Sequence, residues 1–199
     1  KATYLKNEEI VFTEGNSKAV DANNTITASN FKFNKIKNII NADNNVRFVD
    51  KEKDTVIESD KATYLKNEEI VFTEGNSKAV DANNTITASN FKFDKIKNII
   101  NADNNVRFVD KEKDTVIESD KATYLKNDEI VFTEGITEAN VENKYNFLSK
   151  NVEYIVQKKE IKSSNKSEIV DDNGNIYSAN NFLYQINKKL LKAKDVNLL

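Results

Sequence analysis

Residues 61–120 read KATYLKNEEIVFTEGNSKAVDANNTITASNFKFDKIKNIINADNNVRFVDKEKDTVIESD, and they repeat residues 1–60 with a single change, Asn34 to Asp94. A third copy begins at Lys121, differs at Asp128, and diverges after Gly135. Any fold of this chain must therefore be one that can be extended by adding another copy. Self-similarity at a fixed period is typical of stacked repeat architectures.

Each sixty-residue copy contains two related halves. Residues 57–64 align with residues 86–93, and residues 69–76 align with residues 98–105. The structural unit is therefore about thirty residues long. The pattern predicts a single elongated domain over residues 1–199, made of repeats 1–60 and 61–120 and a divergent part, 121–199.

The bulk composition excludes several classes of protein. The net charge is −2, and acidic and basic residues are mixed along the chain, so a nucleic-acid partner is not expected. The chain has no cysteine and needs no oxidising compartment for its fold. Apolar runs such as Ile10-Val-Phe12 are too short to cross a membrane. The chain starts at Lys1, on a repeat boundary and without Met, which indicates a fragment or a processed form.

Short alternating segments predict an all-β fold. Proline is absent and glycine is scarce, so Asn and Asp take the turn positions, as at Asn23-Asn24 and Asn44-Asn45. The segments between them are rich in β-branched and aromatic residues and alternate with period two, which is typical of strands. About three strands per thirty-residue unit give about eighteen to twenty strands in antiparallel arrangement. Alignment with residues 35–42 makes residues 186–193 a strand rather than a helix.

Alternation also predicts which side of the sheet is buried. Ile10 and Phe12 share one face, as do Ile39 and Asn41, and the opposite faces carry charged and polar residues. In the longer strands the parity slips, near Ser29-Asn30 and near Ser59-Asp60. A bulge or corner at each slip brings all the apolar residues to one side. A strand bent once per unit predicts a folded-over sheet with two walls, and many inward positions are small, which leaves room for an apolar ligand.

Several of these segments resemble a known family. Ala2-Thr-Tyr4, Ile10-Val-Phe-Thr-Glu-Gly-Asn16 and Ile26-Thr-Ala28 are similar to the OstA-like repeat of the periplasmic lipopolysaccharide-transport (Lpt) proteins. In the last third of the chain, Asp172-Asn-Gly-Asn-Ile-Tyr177 and Ala179-Asn-Asn-Phe-Leu-Tyr184 resemble most closely the N-terminal domain of LptD, with LptA as the other close member. The resemblance covers essentially the whole chain.

The resemblance implies a fold, a location and partners. It implies an elongated, V-shaped antiparallel β-jellyroll in the periplasm, associated with the outer membrane. Its apolar groove would shield the acyl chains of lipopolysaccharide, and its edge strands would pair with other Lpt jellyroll domains or with a further copy. No cofactor, metal or catalytic activity is expected, since the chain has no His, no Cys and no Gly-rich phosphate loop.

The candidate lipid-binding residues are the apolar side chains predicted to point inward. The alternative for the same residues is an ordinary packed β core. They are Tyr4, Ile10, Phe12, Ile26, Phe33, Ile39, Val46, Phe48, Tyr64, Ile70, Phe72, Ile86, Phe93, Ile99, Val106, Phe108, Tyr124, Ile130, Phe132, Phe147, Tyr154, Phe182 and Tyr184.

Three further features are candidate sites. Residues 171–175 place oxygen ligands at alternate positions, as calcium loops do, but they lack the full ligand order, so a type I′ turn at Asn173-Gly174 is favoured. Lys158-Lys159 and Lys188-Lys189 could meet lipid phosphates, and solvated positions are favoured for them. Residues 1–6 resemble an interior strand with one edge left unpaired, which predicts strand addition at that edge.

Two functions of other classes compete with lipid transport. A structural or adhesive β-repeat spacer predicts a filled core and no lipid capture. A polymer-binding module predicts binding through the outward Thr and Asn rows.

Overall fold

The computed structural model describes residues 1–81 and 83–199, and its eighteen strand segments form one antiparallel sheet. Long strands make up the first two thirds of the chain: β1 to β10 are Ala2–Leu5, Ile10–Val20, Asn24–Asn34, Ile39–Asp50, Thr55–Leu65, Ile70–Val80, Asn84–Asp94, Ile99–Asp110, Thr115–Leu125 and Ile130–Val141. Strand β1 pairs only with β2, and each strand from β2 to β10 pairs with the strand before it and the strand after it in the chain. The all-β antiparallel prediction and the strand number are confirmed.

The divergent last third continues the same sheet with broken strands. Segments β11 to β18 are Tyr145–Lys150, Glu153–Ile155, Glu160–Ser163, Ser167–Val170, Ile176–Ala179, Asn181–Gln185, Leu190–Lys194 and Asn197–Leu198. Strand β10 pairs with β11 along its second half and with β12 along its first half, so β11 and β12 together replace one long strand. A short 3-10 turn, Ile186–Lys188, precedes β17, so only part of the stretch 186–193 predicted as a strand is one.

Every long strand from β2 to β10 bends near its middle. The pairing register shifts between Glu14 and Ser17, and again between Thr27 and Asn30 on the neighbouring strand. In alternate strands the bend is made by consecutive left-handed residues, such as Gly15-Asn16 in β2 and Asn44-Asn45 in β4. The predicted bends near Ser29 and Ser59 are confirmed.

The distribution of strands differs from the prediction of about three per thirty-residue unit. In the repeats, each unit holds two bent strands, so a sixty-residue copy holds four, such as β2 to β5. Asn44-Asn45, predicted as a turn between strands, lies inside β4 and bends it. Left-handed Asn serves equally in a turn and in a bulge, so composition alone does not distinguish the two.

The bends fold the sheet into two arms that face each other. The first arm contains β1, the strand halves 10–14, 30–34, 39–43, 61–65, 70–74, 90–94, 99–103, 121–125 and 130–134, and β12, β13, β16 and β17. The second arm contains the halves 17–20, 24–28, 46–50, 55–59, 77–80, 84–88, 106–110, 115–119 and 137–141, and β11, β14, β15 and β18. Within the described residues, no helix is long and apolar enough to cross a membrane.

Candidate functional site

The interior between the two arms is lined by continuous rows of cross-strand neighbours. The register aligns one row of large apolar side chains on the first arm, running Val11, Phe33, Ile40, Tyr64, Val71, Phe93, Ile100, Tyr124, Val131, Tyr154, Ile161 and Tyr184. The facing row of the second arm runs Ala19, Ile26, Phe48, Ile57, Ala79, Ile86, Phe108, Ile117, Ala139, Phe147 and Ile169. The apolar interior therefore runs the length of the sheet.

Side-chain size in the second arm changes with distance from the bends. Next to the bends, the inward residues of the second arm are small, as at Ser17, Ala28 and Ser59. Thr73 Oγ1 and Ser77 Oγ lie 2.6 Å apart across one bend, which satisfies both hydroxyls where the arms meet. The next row of this arm contains larger residues, such as Ile26, Phe48 and Ile57. The small side chains near the bends are buried, so they do not mark an unfilled groove.

Aromatic contacts join the two arms. The ring centroids of Phe48 and Tyr64 are 5.4 Å apart with an edge-to-face tilt, and Phe108 and Tyr124 repeat this contact at 5.3 Å. Phe108 also contacts the ring of Tyr154 at 6.2 Å. Such pairs add to the free energy gained by burial. The first and second arms are therefore packed together by the same contact in successive repeats.

These contacts leave the interior closed and filled. Phe48 and Phe108 are each 1% exposed and Phe93 is fully buried. A gap beside Ala79 and Tyr124 is too small to admit water. The packed β core, the alternative stated for the candidate residues, is the arrangement that the structure contains.

Most of the predicted inward residues do face the interior. Buried or packed against the core are Ile26, Phe33, Val46, Phe48, Tyr64, Ile86, Phe93, Val106, Phe108, Tyr124, Phe147, Tyr154, Phe182 and Tyr184. Their role in binding lipid remains a prediction.

For eight of the other nine candidates the predicted orientation is wrong. Tyr4 is cross-strand from Val11 of the inner row and is exposed because it lies on the edge strand. Strand β6 buries Val71 and Thr73, so Ile70 and Phe72 lie on its outer side, with Lys92 Nζ 5.9 Å from the Phe72 ring. In β8 the buried residue is Ile100 rather than its neighbour. The eight residues on the outer side are Ile10, Phe12, Ile39, Ile70, Phe72, Ile99, Ile130 and Phe132.

The physical reason is that both parities of these segments are apolar. In Ile70-Val-Phe72 a period-two pattern can bury either Val71 or its two neighbours. The choice is made by the cross-strand partners, because Val71 is paired with both Tyr64 and Phe93, which must be buried. Reading Tyr64 and Phe93 as fixed points, and counting back through the turns, would have found the correct parity.

Sequence reasoning missed a row of charged residues that closes the open side of the folded sheet. Lysines at the turns of the first arm meet aspartates at the turns of the second arm. This row, called here the clasp row, consists of Lys66–Asp21 at 3.7 Å, Lys95–Asp50 at 3.6 Å, Lys126–Asp81 at 3.1 Å and Lys159–Asp110 at 2.8 Å, each measured from Nζ to Oδ2. The signal in the sequence was the recurrence of Val-Asp at strand ends of the second arm and of Lys at the turns of the first arm.

Tyrosine hydroxyls complete the clasp row. Tyr124 Oη donates to Asp81 Oδ2 at 3.2 Å, and Tyr154 Oη donates to Asp110 Oδ2 at 2.5 Å. Burial, and then the neighbouring aspartate, raise the pKa of both tyrosines, so they stay protonated donors at neutral pH. Burial opposes the charge of Lys159, but hydrogen bonds to Asp110 and Glu112 outweigh it and raise its pKa. The predicted solvated position is wrong for Lys159, which is 7% exposed, whereas Lys158, Lys188 and Lys189 are exposed.

A depression lies beside the clasp row at the Lys95–Asp50 pair. It measures about 490 Å³ and is lined mainly by polar residues, including Asn24 and Glu69. Within the described residues, no group of three or more His, Cys, Asp or Glu is arranged to hold a metal ion. The depression therefore offers mixed charge at the mouth of the interior rather than a metal site.

Residues 171–175 form a turn of a different type from the predicted I′ turn. The backbone N–H of Gly174 donates to Asp171 O at 3.1 Å, and only Gly174 of the turn is left-handed. Asp171 Oδ1 accepts hydrogen bonds from the backbone N–H groups of Asn173 and Asn175. Hydrogen bonds, first from the Asn175 side chain, lower the pKa of Asp171. Its oxygens are thus used by the turn itself.

The two ends of the sheet are open edges. Strand β1 pairs only with β2, and all four of its residues are exposed. Tyr4 is 46% exposed, whereas Tyr64, in the same sequence context, is 2% exposed. At the other end, Leu198 and Leu199 are exposed on and beside β18.

Comparison with known proteins gives a similarity of structure. No family model matches the chain, and no curated protein matches it. Among solved structures, the chain is similar to LptH from Pseudomonas aeruginosa, described as the LptA-homologous periplasmic component of a lipopolysaccharide transport device. The match has 9% sequence identity and a TM-score of 0.31, and it covers 74% of this chain and 95% of LptH.

Proposed function

We propose that this chain is a bridge domain for lipopolysaccharide transport in the periplasm, of the kind found in Lpt proteins such as LptD and LptA. The observation that carries the proposal is the continuous apolar interior between two arms that are joined covalently only at the bends. The recurrence of OstA-like motifs in the sequence supports it. Acyl chains would lie between the arms, and the sugars would remain in water.

Binding in this interior requires the arms to part. The inner rows are packed in the closed arrangement, so an acyl chain must replace contacts such as Phe108–Tyr124. Each shielded CH₂ group contributes about 0.8 kcal/mol, and these gains offset the lost contacts in small steps. A row of similar sites along the sheet suits a conduit, because no single position then holds the lipid tightly.

The open edges supply the means of joining domains end to end. Strand β1 offers unpaired backbone groups on its outer side, and a strand from another jellyroll domain or from a second copy of this chain can pair there. The whole chain would then act as one elongated segment of a longer bridge associated with the outer membrane.

Photo-crosslinking with purified lipopolysaccharide tests the proposal. A photoreactive phenylalanine analogue replaces Phe93 or Phe108 in the interior, and the matched control carries it at Phe72, which is 38% exposed on the outer side. We expect capture of lipopolysaccharide at the two interior positions and little at Phe72.

The packed interior favours a second candidate, a structural spacer with a permanently filled core. In that case neither interior position captures lipid, although circular dichroism shows the substituted proteins to be folded. Absence of interior capture in folded protein, or equal capture at all three positions, contradicts lipid transport through the interior.

A further inference from the structure

The clasp row recurs with the repeat. Asp81 and Lys126 are 45 residues apart, and Asp110 and Lys159 are 49 apart. The first two pairs have the same spacing as Asp81–Lys126, because each aspartate lies at the second-arm end of its strand, as the last residue or the one after it, and each lysine begins a first-arm turn. In the fourth pair Val156 occupies the usual lysine position, and Lys159, at the far end of the same turn, reaches Asp110 instead. The pair is thus kept where the sequence has diverged.

Three of the four pairs are unusually buried. The side chains of Lys95 and Asp50 are 7% and 1% exposed, and those of Lys159 and Asp110 are 9% and 0% exposed. Replacing a buried ion pair by apolar residues of similar size is often neutral or stabilising, so stability does not account for charges here.

The position that follows the clasp row toward the C-terminal end of the sheet shows that an apolar closure fits the fold. The 45-residue spacing places Val141 opposite Ile186, and they are 0% and 1% exposed. The Val–Ile position and the clasp row differ in what happens on separation. Parted apolar side chains expose surface to water, whereas a parted lysine and aspartate regain the hydration that they lost on burial.

We infer that the clasp row is a releasable closure of the interior. When one Lys–Asp pair separates, the two arms part locally, while the bends still hold them together. The Lys66–Asp21 pair is the longest and most exposed, so opening begins at that end of the row. The Val141–Ile186 position remains closed and limits opening toward the C-terminal end. What enters between the opened arms rests on the proposed function, whereas the opening itself does not.

Distances between spin labels measure the opening directly. The chain has no cysteine, so cysteines introduced for Lys111 and Gln157, exposed on facing turns beside the Lys159–Asp110 pair, are the only labelling sites. Lys159→Gln leaves Asp110 without its charge partner, and we expect about a tenfold or larger rise in the fraction with long distances, since losing one partner of a buried pair is strongly unfavourable to the closed state.

An apolar clasp gives the opposite change. Asp110→Leu, Lys159→Met and Tyr154→Phe together remove both charges and the hydroxyl that Asp110 accepts from. We expect a folded protein with only the short distance. The matched control removes an exposed ion pair on the outer side of the second arm, Arg107–Glu118 at 3.1 Å, by Arg107→Met and Glu118→Leu, and should leave the distances unchanged. Identical distance distributions in all of these proteins overturn the inference.

Lipopolysaccharide added to the labelled proteins separates this inference from the proposed function. Opening that responds to the clasp variants without any lipid capture at Phe108 supports the clasp row and contradicts lipid transport. Capture at Phe108 that is equal in the apolar-clasp variant and the wild type supports transport and contradicts the clasp row as its closure. Loss of capture in the apolar-clasp variant alone supports both.

Discussion

At the scale of single residues, Tyr184 shows that the aspartates of the clasp row serve as hydrogen-bond acceptors for tyrosine hydroxyls. Tyr124 and Tyr154 donate to aspartates across the seam, but Tyr184 Oη is buried and has no hydrogen-bond partner among the described residues. The spacing of 43 residues between Asp81 and Tyr124 places Val141 where the acceptor for Tyr184 would be. The change from Asp to Val in the divergent third therefore removes an acceptor as well as an ion pair.

Removing this hydroxyl should not harm the protein. Tyr184→Phe eliminates an unsatisfied buried polar group, and we expect the free energy of unfolding to stay the same or rise by about 1 kcal/mol. Tyr124→Phe, its control, removes a donor to the Asp81 carboxylate and should cost about 1–3 kcal/mol. Urea unfolding followed by circular dichroism measures both. A larger loss in Tyr184→Phe than in Tyr124→Phe contradicts this account.

The same variant has a defined pH dependence. Burial, aided by the nearby groups Tyr145 and Glu142, raises the pKa of Tyr184 to about 12 from its ordinary value of 10.0. A pKa raised in the folded state contributes stability that is present below pH 10 and lost as the pH rises through 12. Tyr184→Phe lacks this loss, so its stability relative to the wild type should increase between pH 9 and 12.

At the scale of elements, β6 illustrates why the outer side of the first arm is not the core. Phe72 is 38% exposed beside Lys92, whereas Phe93, on the next strand, is fully buried. Both residues are phenylalanines within apolar segments, so residue type alone does not predict which of them is buried.

Aspartate substitutions should separate the two sides of the first arm. Phe72→Asp places a charge in water and should change the free energy of unfolding by less than about 1 kcal/mol. Phe93→Asp buries an unpaired carboxylate and removes a core ring, so we expect it to unfold the protein or to cost about 4 kcal/mol or more. Thermal unfolding measures both, and equal effects would show that the two phenylalanines share one environment.

The bends and the all-β class were predictable because they leave local signals. The parity slip at Ser29-Asn30 requires a bulge wherever both halves of a strand are buried, and β3 has one. The inward side of β2 and β6 was not predictable from its own alternation, because Val71 and its two neighbours are all apolar. The clasp row was not predictable either, since Lys126 and Asp81 meet only after the sheet has folded over.

At the scale of the whole molecule, the sheet is a stack of interchangeable copies. Strands β2 to β5 pair in the same register as β6 to β9, down to the bulges, and three of the four Lys–Asp pairs have the same 45-residue spacing. The copies therefore differ mainly in the strands that neighbour them. Strand β1 has no strand on its outer side, so Tyr4 is exposed.

Deletion of residues 61–120 should yield a shorter, folded protein. The junction of Asp60 with Lys121 restores the natural sequence, and the sheet loses four strands, so its length along the stacking direction should fall by about 19 Å at the usual strand spacing. Small-angle X-ray scattering measures the maximum dimension. A variant that is unfolded, or that keeps its full length, contradicts the stacked arrangement.

The near-identity of residues 1–60 and 61–120 also has a consequence for how the chain finds its fold. During folding, β5 meets two almost equivalent partners, β6 and β10, which share the sequence IVFTEG at their start. Choosing the wrong one leaves a complete copy looped out, yet satisfies the pairing of the six residues that the two strands share. The mispaired state is unfavourable because the strands of the excluded copy lack neighbours. Correct folding then requires the wrongly paired strands to separate completely. The near-perfect duplication therefore lengthens the sheet and also creates a kinetic trap, a mispaired state in which one complete copy is excluded.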